Sequence, residues 1–291
     1  MSVNSMAQYL GGTSWTRYSN YFLAENNYNT TGVSLAWSIS GTGGSQGITL
    51  ISNRHVLMAN HVSAALFTYP VTVYFVNNAN TVFSYTLTSA ANVATIGASS
   101  GTGYTDISIG YLNTTVDASL SYHKVIPSNF LNYIQNGQLV SGNQYDAPYL
   151  PVFYMDGGDT ASTNKRTWCG NLQYTCNTSC TSKLLYYCRP RSGNRYNNSQ
   201  ALQVGDSGNL IFVPVNNEIV ILGTWYQLIP GYFGNPGDPM GISSFIAPYI
   251  NDFTVGVTTY SGINTTMNTL AGTSPGTYSV TQADLSSFYT Y

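Results

Sequence analysis

Charge is scarce in this chain of 291 residues, with 9 Lys and Arg against 11 Asp and Glu, and charged residues make up 7% of the whole. An average soluble domain carries about a quarter, so most of this surface is neutral and polar. The formal net charge of −2 excludes general electrostatic capture of nucleic acid or of an acidic membrane. No apolar run approaches the ~18 residues of a membrane-spanning helix. Apolar residues are nowhere sustained at the three-to-four spacing of a long amphipathic helix. The first twelve residues, MSVNSMAQYLGG, lack the basic opening and apolar stretch of a secretory leader, and none is expected. Histidine is limited to His55, His61 and His123. Cysteine is limited to four residues, Cys169, Cys176, Cys180 and Cys188.

What is present is short β-branched and aromatic runs separated by Gly, Asn and Ser, which predicts an all-β fold. The candidate strands are 33–39, 48–52, 71–76, 81–88, 107–112, 208–213, 219–225 and 241–245. Asn216-Asn217, between two apolar runs, predicts a tight hairpin, since Asn tolerates positive φ. From Thr254 onward Thr, Ser, Gly and Tyr dominate and Asp284 is the one charge. Such composition predicts a flexible appendage, or else a segment that docks on the body or on a neighbouring subunit. Five Asn-x-Ser/Thr sequons occur, about as many as this composition produces by chance, so they carry no glycosylation signal.

Three segments carry chemistry. Val204-Gly205-Asp206-Ser207-Gly208-Asn209-Leu210 sets a serine among small residues before a strand. Glycine at 205 lets the amides of Gly205 and Ser207 converge on one point, which suits stabilisation of an oxyanion. Upstream, Gly47-Ile48-Thr49-Leu50-Ile51 leads into Val56-Leu57-Met58-Ala59-Asn60-His61. Between these, Tyr104-Thr105-Asp106-Ile107-Ser108-Ile109 places an acid at the head of an apolar strand. The order is His, Asp, Ser, with separations of 45 and 101 residues.

In these motifs the chain resembles the chymotrypsin-like serine peptidases over about residues 30–253. The resemblance implies two six-stranded antiparallel Greek-key β-barrels. The first, 30–125, carries His61 and Asp106 after an N-terminal extension of 1–29. The second, 126–253, carries Ser207 and a Cys-rich basic hairpin inserted at 165–195, and a Thr/Ser/Tyr-rich tail of 254–291 follows. It also implies a catalytic triad of His61, Asp106 and Ser207, an oxyanion hole at Gly205 and Ser207, and a serine endopeptidase acting on protein or peptide substrates without metal or cofactor. The pocket falls to Ala201 at its base with Thr224, Trp225, Tyr226 and Gly241 around it. Because no carboxylate lies at 201, an uncharged residue is expected before the cut. Relatives activated by cleavage begin at Ile-Val-Gly-Gly, which Tyr9-Leu10-Gly11-Gly12 matches only faintly, so Asp206 needs another partner.

The cysteines read either as zinc ligands or as disulfides. The pairs Cys169/Cys188 and Cys176/Cys180 share nearly one midpoint and no Cys-x-x-Cys occurs, which favours two nested disulfides. That implies an extracellular or virion-associated location. Lys165, Arg166, Lys183, Arg189, Arg191 and Arg195 give the same segment a positive potential with no acid in it. A second function class stays open: a structural or binding component of a virion or surface assembly that retains the peptidase fold, with the tail reaching neighbouring subunits.

Overall fold

The computed structural model describes residues 29, 31–34, 46–77, 79, 81–133, 151–156, 166–176, 184–188, 206–216, 218–229 and 240–286. Among these the chain is mostly β-sheet, as the sequence predicts. The first group of strands is β1 (Thr49–Leu50), β2 (His55–Ala59), β3 (Val71–Val76), β4 (Val82–Leu87), β5 (Val93–Gly97) and β6 (Tyr104–Tyr111), with helix α1 (Asn60–Leu66) after β2. They form a four-stranded sheet, β1-β2-β6-β5, and a separate β3-β4 hairpin.

The second group is β7 (Lys124–Val125), β8 (Pro151–Asp156), β9 (Arg166–Cys176), β10 (Leu184–Cys188), β11 (Leu210–Val215), β12 (Glu218–Ile229) and β13 (Met240–Phe245). These follow the order β11-β8-β9-β10-β13-β12-β7, and β11 also pairs with β12. All the pairs are antiparallel except β12 with β7. The predicted hairpin joins β11 to β12, with Asn216 at φ 50°. Of the predicted strands, 71–76 matches β3, whereas 107–112 begins three residues after the start of β6 and 33–39 lies largely outside the described residues.

Period-two alternation explains how the sheets stack. In β11, Ile211, Val213 and Val215 join a cluster with Val220 and Leu222 of β12, while Leu210 and Phe212 point the other way. In β2, Val56 and Met58 face a cluster with Val71, Val73 and Phe75 of the β3-β4 hairpin. Its neighbour Leu57, with Ile107 and Ile109 of β6, meets Leu210, Phe212, Ile219 and Ile221 in a third cluster. That third cluster joins the two groups of strands. Both faces of these strands are buried, which is why they read as continuous apolar runs.

The segment after Asp252 is folded onto the body. Strands β14 (Phe253–Val255) and β15 (Thr258–Tyr260) make a hairpin, and helix α2 (Ile263–Ala271) follows. Ile263, Met267 and Val280 enter the cluster between the sheets, and Ala283 and Leu285 enter the one behind β11 and β12. Gln282 bridges Val125 of β7 in parallel.

His55 ties this segment down. Its ring lies against Tyr111 and Tyr278, with centroids 5.0 and 4.7 Å away. Nε2–H donates to the Met267 carbonyl at 3.0 Å, so Nδ1 accepts the Ser52 hydroxyl at 2.8 Å. Ser52 Oγ in turn accepts the amides of His55 and Arg54. The neutral ring therefore fits its partners completely. Burial, with Arg54 nearby, pushes its pKa down to about 4 against the opposing Met267 bond, and burial alone does the same to His123.

Acid stability follows from these two rings. An unfolded chain takes up a proton at each near pH ~6.5, whereas the folded chain resists until about pH 4. Between those values the unfolded state holds more protons, so stability falls as pH falls. Each buried ring contributes a loss on the order of 3 kcal/mol by the lower limit. Denaturant midpoints measured from pH 7.5 to pH 4 are expected to decline through that window. A flat profile would mean that neither histidine is buried and neutral.

Candidate active site

Residues from three elements meet at one point. His61 is the second residue of α1, directly after β2. Asp106 lies in β6 where the β5-β6 register shifts: Ile96 pairs with Ile107, but Gly97 pairs with Tyr104. The extra residues, 105 and 106, make a bulge that re-aims a side chain. Asp106 adopts φ 55° there, in the left-handed region that Asp tolerates better than most residues. Gly97 completes the turn at φ 83°, and a Cβ on it would collide with the Gly103 carbonyl.

Ser207 occupies the turn that leads into β11. Its carbonyl accepts the Gly47 amide at 3.2 Å, while Gly208 N–H donates to Trp225 O at 3.0 Å and Trp225 N–H to Asn209 O at 3.1 Å. The turn is thus pinned from both groups of strands. Gly208 has φ 77°, and a Cβ on it would stand 2.7 Å from Gly47 O. Both the dihedral and the close approach demand glycine.

The side chains form a continuous chain of hydrogen bonds. His61 Nε2 is 2.7 Å from Ser207 Oγ. Its Nδ1 is 2.8 Å from Asp106 Oδ2 and 3.0 Å from Oδ1. Oδ1 also accepts the His61 backbone N–H at 2.8 Å and the Tyr104 hydroxyl at 2.6 Å. The Asp106 side chain is 1% exposed and that of His61 37%. A buried carboxylate orients an imidazole whose other nitrogen reaches a hydroxyl at the surface. This arrangement can take a proton from Ser207 and hand it to a leaving group.

Tyr104 and Tyr226 wall the site. Tyr226 lies 6.2 Å from the His61 ring and 6.0 Å from that of Tyr104. Burial, then the bond to Asp106 and its charge, push the Tyr104 hydroxyl far above the usual tyrosine range. Burial and the same charge raise Tyr226. Both therefore stay neutral donors at any ordinary pH.

Of the residues predicted for a pocket, Tyr226 alone makes a ring contact with His61 among those described. Thr224, Trp225 and Gly241 are buried. Trp225 packs edge-on against Tyr154 at 5.3 Å, and its main chain holds the Ser207 turn. Asp206 is buried and engaged. Ala201 and Gly205 lie outside the described residues, as do Cys180 and the side chains of Cys169, Cys176 and Cys188.

Sequence reasoning passed over Tyr104 and Asn60. The bulge at 105 and 106 breaks the alternation of the strand, so no local pattern announces the Tyr104 contact. No family model and no curated protein matches the chain.

Proposed function

We propose that the chain is a serine endopeptidase of chymotrypsin-like kind, cleaving peptide bonds through an acyl-enzyme. The observation that carries this reading is the unbroken contact from Ser207 Oγ to His61 Nε2 at 2.7 Å and from Nδ1 to Asp106 Oδ2 at 2.8 Å. Ser207 Oγ bonds to the substrate carbonyl carbon as His61 Nε2 takes its proton. The carbon–nitrogen bond then breaks and the amine leaves with that proton. Water, deprotonated by the same imidazole, releases the acid and restores Ser207. The amides of Gly205 and Ser207 are assigned to the oxyanion, at about 3 kcal/mol per donor.

The reading extends to the fold as two six-stranded antiparallel Greek-key barrels. Its support is the pair of inner clusters, one within each group of strands, and the pairing of β11 with both β8 and β12. An uncharged residue before the scissile bond follows from Ala201, where no carboxylate is available. This chemistry calls for no metal or organic cofactor.

A fluorophosphonate probe tests the proposal. Folded protein is expected to gain one adduct on Ser207, found by peptide mass mapping, and Ser207→Ala to gain none. Absence of an adduct on the folded chain, with a peptide library left uncut, overturns it.

A further inference from the structure

We propose that Tyr104 is a positioning residue for the His61–Asp106–Ser207 relay, an inference that rests on the peptidase reading for its meaning in turnover. A lone Asp106 carboxylate could present either oxygen to His61. Here Oδ1 is occupied by two other donors, the His61 backbone amide at 2.8 Å and the Tyr104 hydroxyl at 2.6 Å. Oδ2 makes the closer contact with Nδ1, 2.8 Å against 3.0 Å. The tyrosine thus helps fix the rotation of the carboxylate, and the carboxylate fixes the plane of the imidazole.

Tyr104 is itself held. Its neighbour Asn60 is fixed in turn, since Asn60 Oδ1 accepts Thr95 Oγ1 at 2.6 Å and Ser108 Oγ at 3.0 Å. The phenol proton is directed at Asp106 Oδ1. Asn60 is the residue before His61, so its bonds to Thr95 and Ser108 tie the helix start that carries the base to β5 and β6. From the other side the C-terminal hairpin braces the loop: the Tyr260 ring stands 3.0 Å from where a Cβ on Gly103 would lie. Phe253 stacks on Tyr260 at 5.5 Å.

The hydroxyl also draws charge from the carboxylate. Without it, Asp106 would stabilise the protonated imidazole more strongly while holding it less firmly. A residue that only filled space would do neither.

Tyr104→Phe removes the hydroxyl and keeps the ring against Tyr226. His61 is followed by NMR titration of its ring proton, with His55 and His123 as references outside the site. The His61 midpoint in the variant is expected to rise by about half a unit to one unit above the unchanged chain. The fluorophosphonate labelling rate is expected to fall roughly three- to tenfold, with an unaltered melting temperature. A midpoint and a labelling rate both equal to those of the unchanged chain overturn the proposal. If the unchanged chain takes no label, the peptidase reading fails, and the midpoint alone still decides whether Tyr104 acts on the relay.

Discussion

Asp106→Asn is expected to lower kcat/KM on a peptide or ester substrate by about 10⁴-fold, the scale of the same exchange in a serine triad. The local geometry argues for so large a loss. The backbone amide of His61 and the Tyr104 hydroxyl both donate to Oδ1. An asparagine keeps these two bonds only by leaving its oxygen there, which turns its NH₂ toward His61 Nδ1. Two donors cannot share that contact, so Nδ1 becomes the acceptor and the ring proton moves to Nε2. Nε2 then faces Ser207 Oγ, 2.7 Å away, as a donor and cannot take the serine proton. Folding should survive, because Asn also tolerates the φ of 55° at this position. The check is steady-state kinetics beside a melting curve. A loss under tenfold in a normally folded variant would falsify the role of His61 as general base.

How much of this could be read beforehand depended on range. Strands β11 and β12 were visible because each carries its own short apolar run bounded by turn residues. The His, Asp and Ser were legible because each sits in a short sequence motif: an apolar run leading to His61, an acid at the head of an apolar strand, a serine set among small residues. The Tyr104 contact was harder to see, since the bulge that aims Asp106 depends on pairing with β5, and a register shift leaves no mark in one strand alone. Helix α2 was missed for another reason. Its sequence INTTMNTLA has four threonine or asparagine residues in its first six positions, poor helix formers, and composition alone reads as linker. The apolar spacing Ile263, Met267, Leu270 is nevertheless that of one helix face. A nine-residue pattern is too short to outweigh composition, and tertiary burial decides it.

The largest expected effect on stability comes from that same segment: a chain ending at Asp252 should lose its cooperative unfolding transition. Ile263, Met267, Val280 and Leu285 are all buried, two of them in contact with the cluster between the sheets from α2 itself. At about 1.5–3 kcal/mol for each large apolar side chain, the four approach the 5–15 kcal/mol that holds a whole domain together. Deletion also strips His55 of the Met267 carbonyl and of the Tyr278 ring that covers it. The smaller change Met267→Ala should cost about 2–5 kcal/mol through the cavity it leaves, lowering Tm by roughly 5–15 °C. Calorimetry on both proteins checks the pair. A sharp transition at an unchanged temperature in the shortened chain would mean that residues 253–286 ride on the body without holding it, and that the cluster between the two groups of strands closes without α2.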